Sequence, residues 1–368
     1  MKNSMLSVCT AVSKTTAIAL ISLSATLVSA QDTHTIFPLT PPSVSTIPSN
    51  GDLNPYGVVF VPKTVPAGGV LQPGDILVSN FNNSANLQGL GTTITRVTAA
   101  GKTSTFFTSP SPQTGLTAAL GILSDGLVLI GNLPTLDGTS ATVQPGRLAV
   151  LDRSGNFLGT IGTLSTIDGP WGMAVYDNGN GITGTAHVFV SNVLSGVISR
   201  FDITYTASSA SATVTIIAKG FNHRPDPAAI VLGPSGLAYS PSNDTLYVAS
   251  STDNAIYEIP TAAATHSIVS ATLLFQDLTH LHGPLDLSIL PNGHFLVANS
   301  DGSNADPNQP SELVEYTPTG EFLAQMSIDP NNGGAFGVAT YNIGWGTFRL
   351  AAVDDNTNTL DMWTTVAQ

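Results

Sequence analysis

The sequence predicts an all-β protein, a six-bladed β-propeller in which an N-terminal strand closes the last blade. The composition is typical of short strands joined by tight turns, since only 10% of the 368 residues are charged while Gly and Pro number 35 and 24. A repeated pattern of β-rich phrases indicates the number of blades. One unmatched strand-like segment near the N-terminus indicates how the ring closes.

An apolar phrase, which opens on Gly-Pro in several copies, recurs along the whole chain. Its copies begin at Asn54, Leu116, Gly169, Gly233, Gly283 and Gly334. A second β-rich phrase follows each copy after a turn, beginning at Asp75, Leu127, His187, Thr245, His294 and Thr347. A third phrase follows in the same register, and segments such as 146–161 continue through a tight hairpin into a fourth. Four strands repeated every ~50 to 65 residues are typical of propeller blades.

Six such units fill the chain from the first copy of the phrase onward. We expect the blades at about residues 54–108, 115–162, 168–219, 233–276, 283–328 and 334–366. The last repeat ends after three strands, so the sequence predicts that residues 34–39 (HTIFPL) add the missing outer strand. A ring closed by both chain ends leaves no long open edge for aggregation.

The first 30 residues have the pattern of a secretory signal peptide. Lys2 and Lys14 precede a short apolar run, 17–28, and the sequence Val-Ser-Ala at 28–30 provides a small-residue cleavage site. The mature domain, residues 31–368, is therefore expected to be secreted, either periplasmic or extracellular. No later stretch approaches the roughly 20 apolar residues of a transmembrane helix, so we expect no transmembrane segment.

The charge and the cysteine content limit the chemistry of the mature domain. The formal net charge is −13, and a surface of this sign repels nucleic acid. We therefore expect a small molecule, a glycan or a protein as the partner. The single cysteine, Cys9, lies in the predicted leader, so the sequence predicts no disulfide and no thiolate metal ligand after processing.

The repeat resembles that of known propellers. The Pro-x-Gly opening of GPWGMAVYD from Gly169, with the V-x-N ending of HVFVSN from His187, resembles the NHL-repeat group and, more widely, the gluconolactonase-like and strictosidine-synthase-like six-bladed enzymes. The resemblance covers essentially all of the mature chain and implies the architecture. It also implies a catalytic divalent cation held near the channel mouth by a Glu of the first blade, but no Glu precedes Glu258 here. The resemblance therefore does not carry lactonase activity over to this chain.

Three aromatic residues are predicted to share the mouth of the channel. Antiparallel order places the loop into each first strand on the same face as the turn between the second and third strands. The third residue of the opening phrase is Tyr56, Trp171 and Phe336 in three of the repeats. These rings are candidates for stacking on a sugar or another ring-shaped ligand. Alternatively, they plug the channel and pack on one another.

Histidine and carboxylate residues on the same face are candidate metal ligands, with calcium or zinc as the possible divalent cation. His280 and His282 alternate on a loop, and His223, Asp168 or Asp286 can complete the set. The alternative is that the imidazoles are hydrogen-bonding braces.

The carboxylate of Asp286 also breaks the rule of the repeat. It replaces a glycine that four other repeats carry, at Gly57, Gly172, Gly236 and Gly337. A carboxylate at such a position indicates either a functional role or a bond to the backbone of a neighbouring blade.

Arg224 is the remaining candidate, because it lies in an insertion on the predicted functional face. It can clamp a carboxylate or another anion of a ligand, or it can pair with Asp226 or with a neighbouring blade. Together, the features predict a secreted NHL-like binding or scaffold module for a carbohydrate, a small molecule or a protein. The alternative is a metal-dependent hydrolase or lyase with its site at the channel mouth, and a purely structural envelope component also remains open.

Overall fold

The computed structural model describes residues 33–366 except 38, 40, 112–113, 207–208, 301, 306–307 and 309–311. The predicted signal peptide, residues 1–30, lies outside the described residues. The all-β prediction is confirmed, because strands and turns make up the described residues apart from one short 3-10 helix at Ser140–Thr142. Among these residues no helix is long and apolar enough to cross a membrane.

The strands are numbered in chain order. The first is β1 (Ser43–Ser45). The next twelve are β2 (Leu53–Phe60), β3 (Ile76–Asn82), β4 (Thr93–Val97), β5 (Thr103–Thr108), β6 (Leu116–Ile122), β7 (Val128–Asn132), β8 (Arg147–Leu151), β9 (Phe157–Ile161), β10 (Pro170–Asp177), β11 (Gly184–Asn192), β12 (Val197–Thr206) and β13 (Ser209–Lys219). The remainder are β14 (Arg224–Asp226), β15 (Ile230–Leu232), β16 (Pro234–Ser240), β17 (Thr245–Ser250), β18 (Ala255–Pro260), β19 (Thr272–Gln276), β20 (Pro284–Ile289), β21 (Phe295–Asn299), β22 (Glu312–Tyr316), β23 (Phe322–Ser327), β24 (Ala335–Gly344), β25 (Thr347–Asp354) and β26 (Thr359–Val366).

These strands form four-stranded antiparallel sheets and one small hairpin. Five of the sheets are consecutive meanders, β2 to β5, β6 to β9, β10 to β13, β16 to β19 and β20 to β23. A further four-stranded sheet has the order β1-β26-β25-β24, and β14 pairs only with β15 in a two-stranded sheet. The strands are short and rich in β-branched and aromatic residues, which fit a pleated surface that is buried on both sides.

The first strands of the four-stranded sheets surround a common axis. Each contacts the next in cyclic order, from β2 through β6, β10, β16, β20 and β24 back to β2. Each of these strands shifts register against its second strand near its start, as between Pro55 and Val58 in β2. A bulge of this kind bends the strand and frees backbone groups from the ladder.

Side-chain hydroxyl groups form hydrogen bonds with the backbone groups that the bulges leave outside the ladder. Ser79 accepts from the Gly57 N–H at 2.9 Å and donates to the Thr117 carbonyl of the next sheet at 2.7 Å. Ser191 and Ser235 donate in the same way to the carbonyl oxygens of Ser235 and Pro284. Buried polar backbone groups are thus satisfied between neighbouring sheets, close to the axis.

The strand that completes the last sheet differs from the predicted one. Residues 43–45 pair with β26, with Val44 opposite Leu360, and the prediction that residues 34–39 form this strand is wrong. The described residues of that segment are not in a strand, because the Ile36 N–H donates instead to the Glu315 carboxylate at 2.9 Å. The Ile36 side chain is buried in the core between the last two sheets. The segment therefore anchors the N-terminus by packing and not by joining the ladder.

Candidate ligand pocket at the channel mouth

The three predicted aromatic residues meet at one end of the channel. The Tyr56 ring lies 5.3 Å from the Trp171 ring and 4.8 Å from the Phe336 ring, and Phe81 lies beside Tyr56 at 5.1 Å. The edge-on and tilted arrangements are those that aromatic quadrupoles favour. The rings therefore pack on one another, which was the alternative to ligand stacking.

Trp171 does not face a ligand space. Its side chain is only 1% exposed and it belongs to the central apolar cluster with Ile230 and Val231 of the β14–β15 hairpin. The Gln88 amide donates to the Ala228 carbonyl at 2.8 Å and ties the tip of this hairpin to the first sheet. The prediction that Trp171 contacts a ligand at the mouth is therefore wrong, because an insertion covers this side of the aromatic layer.

A pocket of about 370 Å³ remains at the mouth beside the hairpin. Its apolar part is formed by Tyr56, Leu285 and Phe336, which are the third residues of their opening phrases. Its polar part includes Asn54, Asn82 and Asp355, and the hairpin contributes Ala229 and Val231. The pocket therefore combines an aromatic floor with a polar side.

Two amide side chains in this pocket are buried without full hydrogen bonding. Asn54 and Asn82 are each 4% exposed, and the Oδ1 atom of each has no hydrogen-bond partner among the described residues. The Asn82 Nδ2 donates to the Asn86 Oδ1 at 2.7 Å, which fixes the orientation of its amide. Buried acceptors left unpaired cost free energy, so their occurrence in a pocket indicates a missing donor.

The carboxylate of the pocket, on the half-buried Asp355, accepts no hydrogen bond from the described residues. Burial, together with the nearby Asp354, raises the pKa of Asp355 to about 7, and no hydrogen bond opposes this rise. Burial and the charge of Asp355 raise the pKa of the Tyr56 hydroxyl, which likewise has no hydrogen-bond partner among the described residues. The two groups are thus neighbours within the pocket.

The chain conformation at Asn54 explains how its amide reaches this position. Its φ is +60°, a left-handed conformation that Asn tolerates and that most residues avoid. Gly169 and Gly283 have φ of +72° and +73° at the corresponding positions of two other repeats. The Asn54 N–H donates to the Asn358 Oδ1 at 2.8 Å, which joins the first sheet to the last at the pocket.

The predicted metal ligands do not assemble. Over the described ranges, the chain has no group of three or more His, Cys, Asp or Glu side chains placed to hold a metal ion. The His280 Nδ1 lies 2.7 Å from Asp277 and its ring stacks on Phe322 at 3.7 Å. The His282 side chain is buried, with Nδ1 2.9 Å from Glu312 and Nε2 3.1 Å from the Thr279 carbonyl. These contacts hold both imidazoles in place, and the described structure does not bring them together as metal ligands.

His223 and Asp168 also serve local contacts. The His223 Nδ1 lies 3.0 Å from the Phe221 carbonyl on the same loop. Burial raises the pKa of Asp168, and the charge of His223 partly offsets this rise, so the two groups are near one another. A single carboxylate and one imidazole are too few to replace the hydration shell of a divalent cation.

Asp286 lies in the channel below the aromatic layer and not at the mouth. This part of the channel has a volume of about 450 Å³ and is lined by all six first strands. The Asp286 carboxylate accepts from the Leu287 N–H at 2.9 Å and from the Val338 N–H of the next sheet at 3.0 Å. Burial raises its pKa to about 7 despite these two bonds. The interpretation of Asp286 as a bond to a neighbouring backbone is confirmed, and its assignment as a metal ligand is wrong.

Arg224 forms an ion pair within the hairpin. Its Nη1 donates to the Asp226 Oδ2 at 2.8 Å, and Asp226 also accepts the N–H groups of Ala228 and Ala229. The guanidinium is thus occupied by Asp226, and it does not line the pocket at the mouth. Of the two interpretations of Arg224, the pairing with Asp226 is the one observed.

The sequence analysis did not select Asn54, Asn82, Gln88 or Asp355 as site residues. One signal for Asn54 was present, because Asn replaces the glycine that opens several other copies of the phrase. Asp355 follows Asp354 at the end of a strand and had no distinguishing pattern. Its role depends on what surrounds it in the folded chain.

Comparisons with known proteins identify the architecture. No protein-family model matches the chain, and neither does any curated protein sequence. The chain is similar in structure to a calcium-binding regucalcin from Agrobacterium tumefaciens, with a TM-score of 0.53, 14% identity and coverage of 91% of this chain and 97% of that one.

Two further solved structures match over similar lengths. A streptogramin B lyase has a TM-score of 0.48 and 15% identity, with coverage of 89% of this chain and 88% of its own. A gluconolactonase from Xanthomonas campestris has a TM-score of 0.49 and 11% identity, with coverage of 90% and 100%. At 14% identity the similarity to the regucalcin establishes the fold alone, and the fold is propeller-like.

Proposed function

We propose that each four-stranded sheet is one blade and that the protein is an exported, NHL-like six-bladed propeller acting as a binding module. The ring of six first strands supports this count of blades. The two-stranded hairpin β14–β15 is then an insertion between the third and fourth blades. The ligand, a small polar molecule or a polar group of a glycan or protein, occupies the pocket beside that hairpin.

One observation carries the proposal: unsatisfied polar groups converge on one pocket. Among the described residues, the buried Oδ1 atoms of Asn54 and Asn82 have no partner, and none donates a hydrogen bond to the Asp355 carboxylate beside Tyr56. Folding gains nothing from burying such groups unpaired. A ligand that donates to them recovers the lost hydrogen bonds, which is the usual chemistry of a concave site with a few polar groups on an apolar floor.

The pocket position suits binding better than catalysis. The described lining residues include one carboxylate and no His, Lys, Arg or Cys, so they offer no nucleophile paired with a base. The floor of Tyr56, Leu285 and Phe336 is fixed by its packing in the central core. A rigid, pre-organised floor with polar groups above it favours binding of a ligand over catalysis of a reaction on that ligand.

A pocket-filling substitution tests the proposal. We expect Ala229→Trp to abolish ligand signals in a thermal-shift screen, a glycan array and pull-down experiments, because the indole would occupy the space above Tyr56. Ala264→Trp is the matched control, since Ala264 is exposed and lies outside the pocket. Retention of every wild-type signal by Ala229→Trp would contradict a ligand at this site.

A further inference from the structure

The described residues that line the pocket at the mouth include one carboxylate, that of Asp355, together with several amide side chains. The amide oxygens of Asn54 and Asn82 and the carboxylate of Asp355 have no hydrogen-bond donor among the described residues. Neither Lys, Arg nor His occurs among the described lining residues to balance the carboxylate. The nearest basic group on the hairpin, Arg224, is already paired with Asp226. The missing partner therefore brings several N–H or O–H donors, and it offsets a negative charge.

We propose that the group bound in this pocket is a guanidinium, carried either by a free small molecule or by an arginine side chain of a peptide. This inference rests on the proposed function, because it names the chemical class of the ligand for the same site. A guanidinium has a positive charge and five N–H donors in one plane, which suit the Asp355 carboxylate and the amide side chains that line the pocket. Its apolar faces contact aromatic rings favourably, and Tyr56 and Phe336 form the floor.

The same features disfavour two other cations. An ammonium ion is compact and strongly hydrated, so it loses more hydration on entering a pocket with an aromatic and aliphatic floor. A divalent metal ion requires several oxygen ligands held close together, usually including more than one carboxylate. Among the described lining residues only Asp355 supplies a carboxylate, and the described part of the chain contains no metal-holding group of three acidic or imidazole side chains. A weakly hydrated, planar cation fits this composition best.

The wider charge distribution supports entry of a cation. The chain carries 24 acidic against 11 basic residues, so its field attracts positive ligands. Burial raises the pKa of Asp355 to about 7, with Asp354 adding to the effect. A bound cation stabilises the ionised carboxylate, so binding of the guanidinium strengthens as the pH rises from about 6 to about 8.

Calorimetric titration of the intact protein with a matched pair of probes tests the inference. N-acetyl-arginine amide carries the guanidinium, and N-acetyl-citrulline amide has nearly the same shape with an uncharged urea group. We expect the arginine probe to bind and the citrulline probe to bind at least about tenfold more weakly, because only the former compensates the carboxylate. A capped Ala-Arg-Ala peptide in a parallel titration distinguishes the two sources, since tighter binding of the peptide assigns the group to a polypeptide.

Substitutions test whether binding of the arginine probe depends on the charge of Asp355. Asp355→Asn keeps the shape of the side chain and is expected to weaken the arginine probe by about tenfold or more. Asp137→Asn removes one charge from an exposed loop outside the pocket and is expected to leave binding unchanged. Tyr56→Phe removes only a hydroxyl and serves as a second variant if Asp355→Asn lowers expression. We expect this variant to weaken the arginine probe by a smaller factor.

Several results would overturn the inference, and they separate it from the proposed function. Equal binding of the two probes, or binding of the arginine probe unaffected by Asp355→Asn, means that the pocket does not recognise a guanidinium. A neutral sugar or Ca²⁺ that binds while the arginine probe does not has the same consequence, although the mouth remains a binding site. If wild-type protein gives no binding signal with any probe, the proposed function is rejected as well.

Discussion

Two cavities on the same axis each contain one acidic side chain whose pKa burial raises to about 7, but the two carboxylates differ in their bonding. Asp286 in the channel accepts two backbone N–H groups, one of them from the next sheet. Asp355 at the mouth accepts none from the part of the chain that the structure describes. The bonded carboxylate joins two strands, whereas the unbonded one is left for a ligand. A raised pKa alone therefore does not distinguish a structural group from a binding group, and the hydrogen-bond partners do.

The aromatic layer that separates the two cavities gives the largest expected effect. We expect Trp171→Ala to lower the free energy of unfolding by about 3–5 kcal/mol, because a fully buried indole leaves a cavity that the ring of strands cannot fill. Chemical denaturation measures this loss. The control is Trp345→Ala, since Trp345 is fully exposed at a hairpin turn and its removal is expected to cost little. Similar losses in the two variants would contradict the assignment of Trp171 to the core.

The two carboxylates are compared directly by removing each one. Asp286→Ala leaves the N–H groups of Leu287 and Val338 without their acceptor, and we expect a loss of about 1–3 kcal/mol in the free energy of unfolding. Asp355→Ala removes a half-buried carboxyl that accepts no hydrogen bond from the described residues, so its effect is expected to be within about 0.5 kcal/mol or stabilising. Urea denaturation at one pH measures both. A greater loss for Asp355→Ala than for Asp286→Ala would reverse the comparison.

Stability is expected to fall as the pH rises from about 4 to about 7. Burial raises the pKa of Asp286 and Asp355 to about 7 and that of Asp361 to about 6, so the folded chain binds these protons more tightly than the unfolded chain does. Their contribution is complete at pH values below the unfolded pKa and is lost as the pH passes through the folded values, at no more than about 1.4 kcal/mol per pH unit for each group.

The melting temperature measured across this range checks the sign. Asp355→Asn is expected to flatten the fall with rising pH, and Asp137→Asn is the control because Asp137 is exposed. A melting temperature that rises steadily between pH 4 and pH 7 would mean that other groups outweigh these three carboxyls.

The smallest expected effect concerns metals. Because His280 pairs with Asp277 and His282 lies against Glu312, we expect added Ca²⁺ or Zn²⁺ to leave the melting temperature of untagged protein unchanged. His280→Gln is expected to lose only a local brace and to behave identically with and without the metals. A metal-dependent rise in wild-type protein that disappears in His280→Gln would restore a metal site at these loops.

The sequence by itself determined the all-β class, the repeated four-strand unit and the face that carries the polar loops. Strand-forming phrases and turn residues are local signals, and their periodicity survives into the sheets. For Asp286 and Arg224 the sequence left two kinds of role open, a contact with a ligand or a structural bond. It indicated these roles because Asp226 lies two residues from Arg224 and because Asp286 replaces a glycine of the repeat.

Tertiary structure decided which segment closes the last sheet and which polar groups remain unpaired. Residues 43–45 join β26 because the segment before them is held by Glu315 and by the burial of Ile36, contacts that span nearly 280 positions of sequence. The burial of Trp171 beneath the hairpin and the isolation of Asp355 depend likewise on distant neighbours. A sequence pattern records which residues can bond, but only the packed fold decides which of them have found a partner.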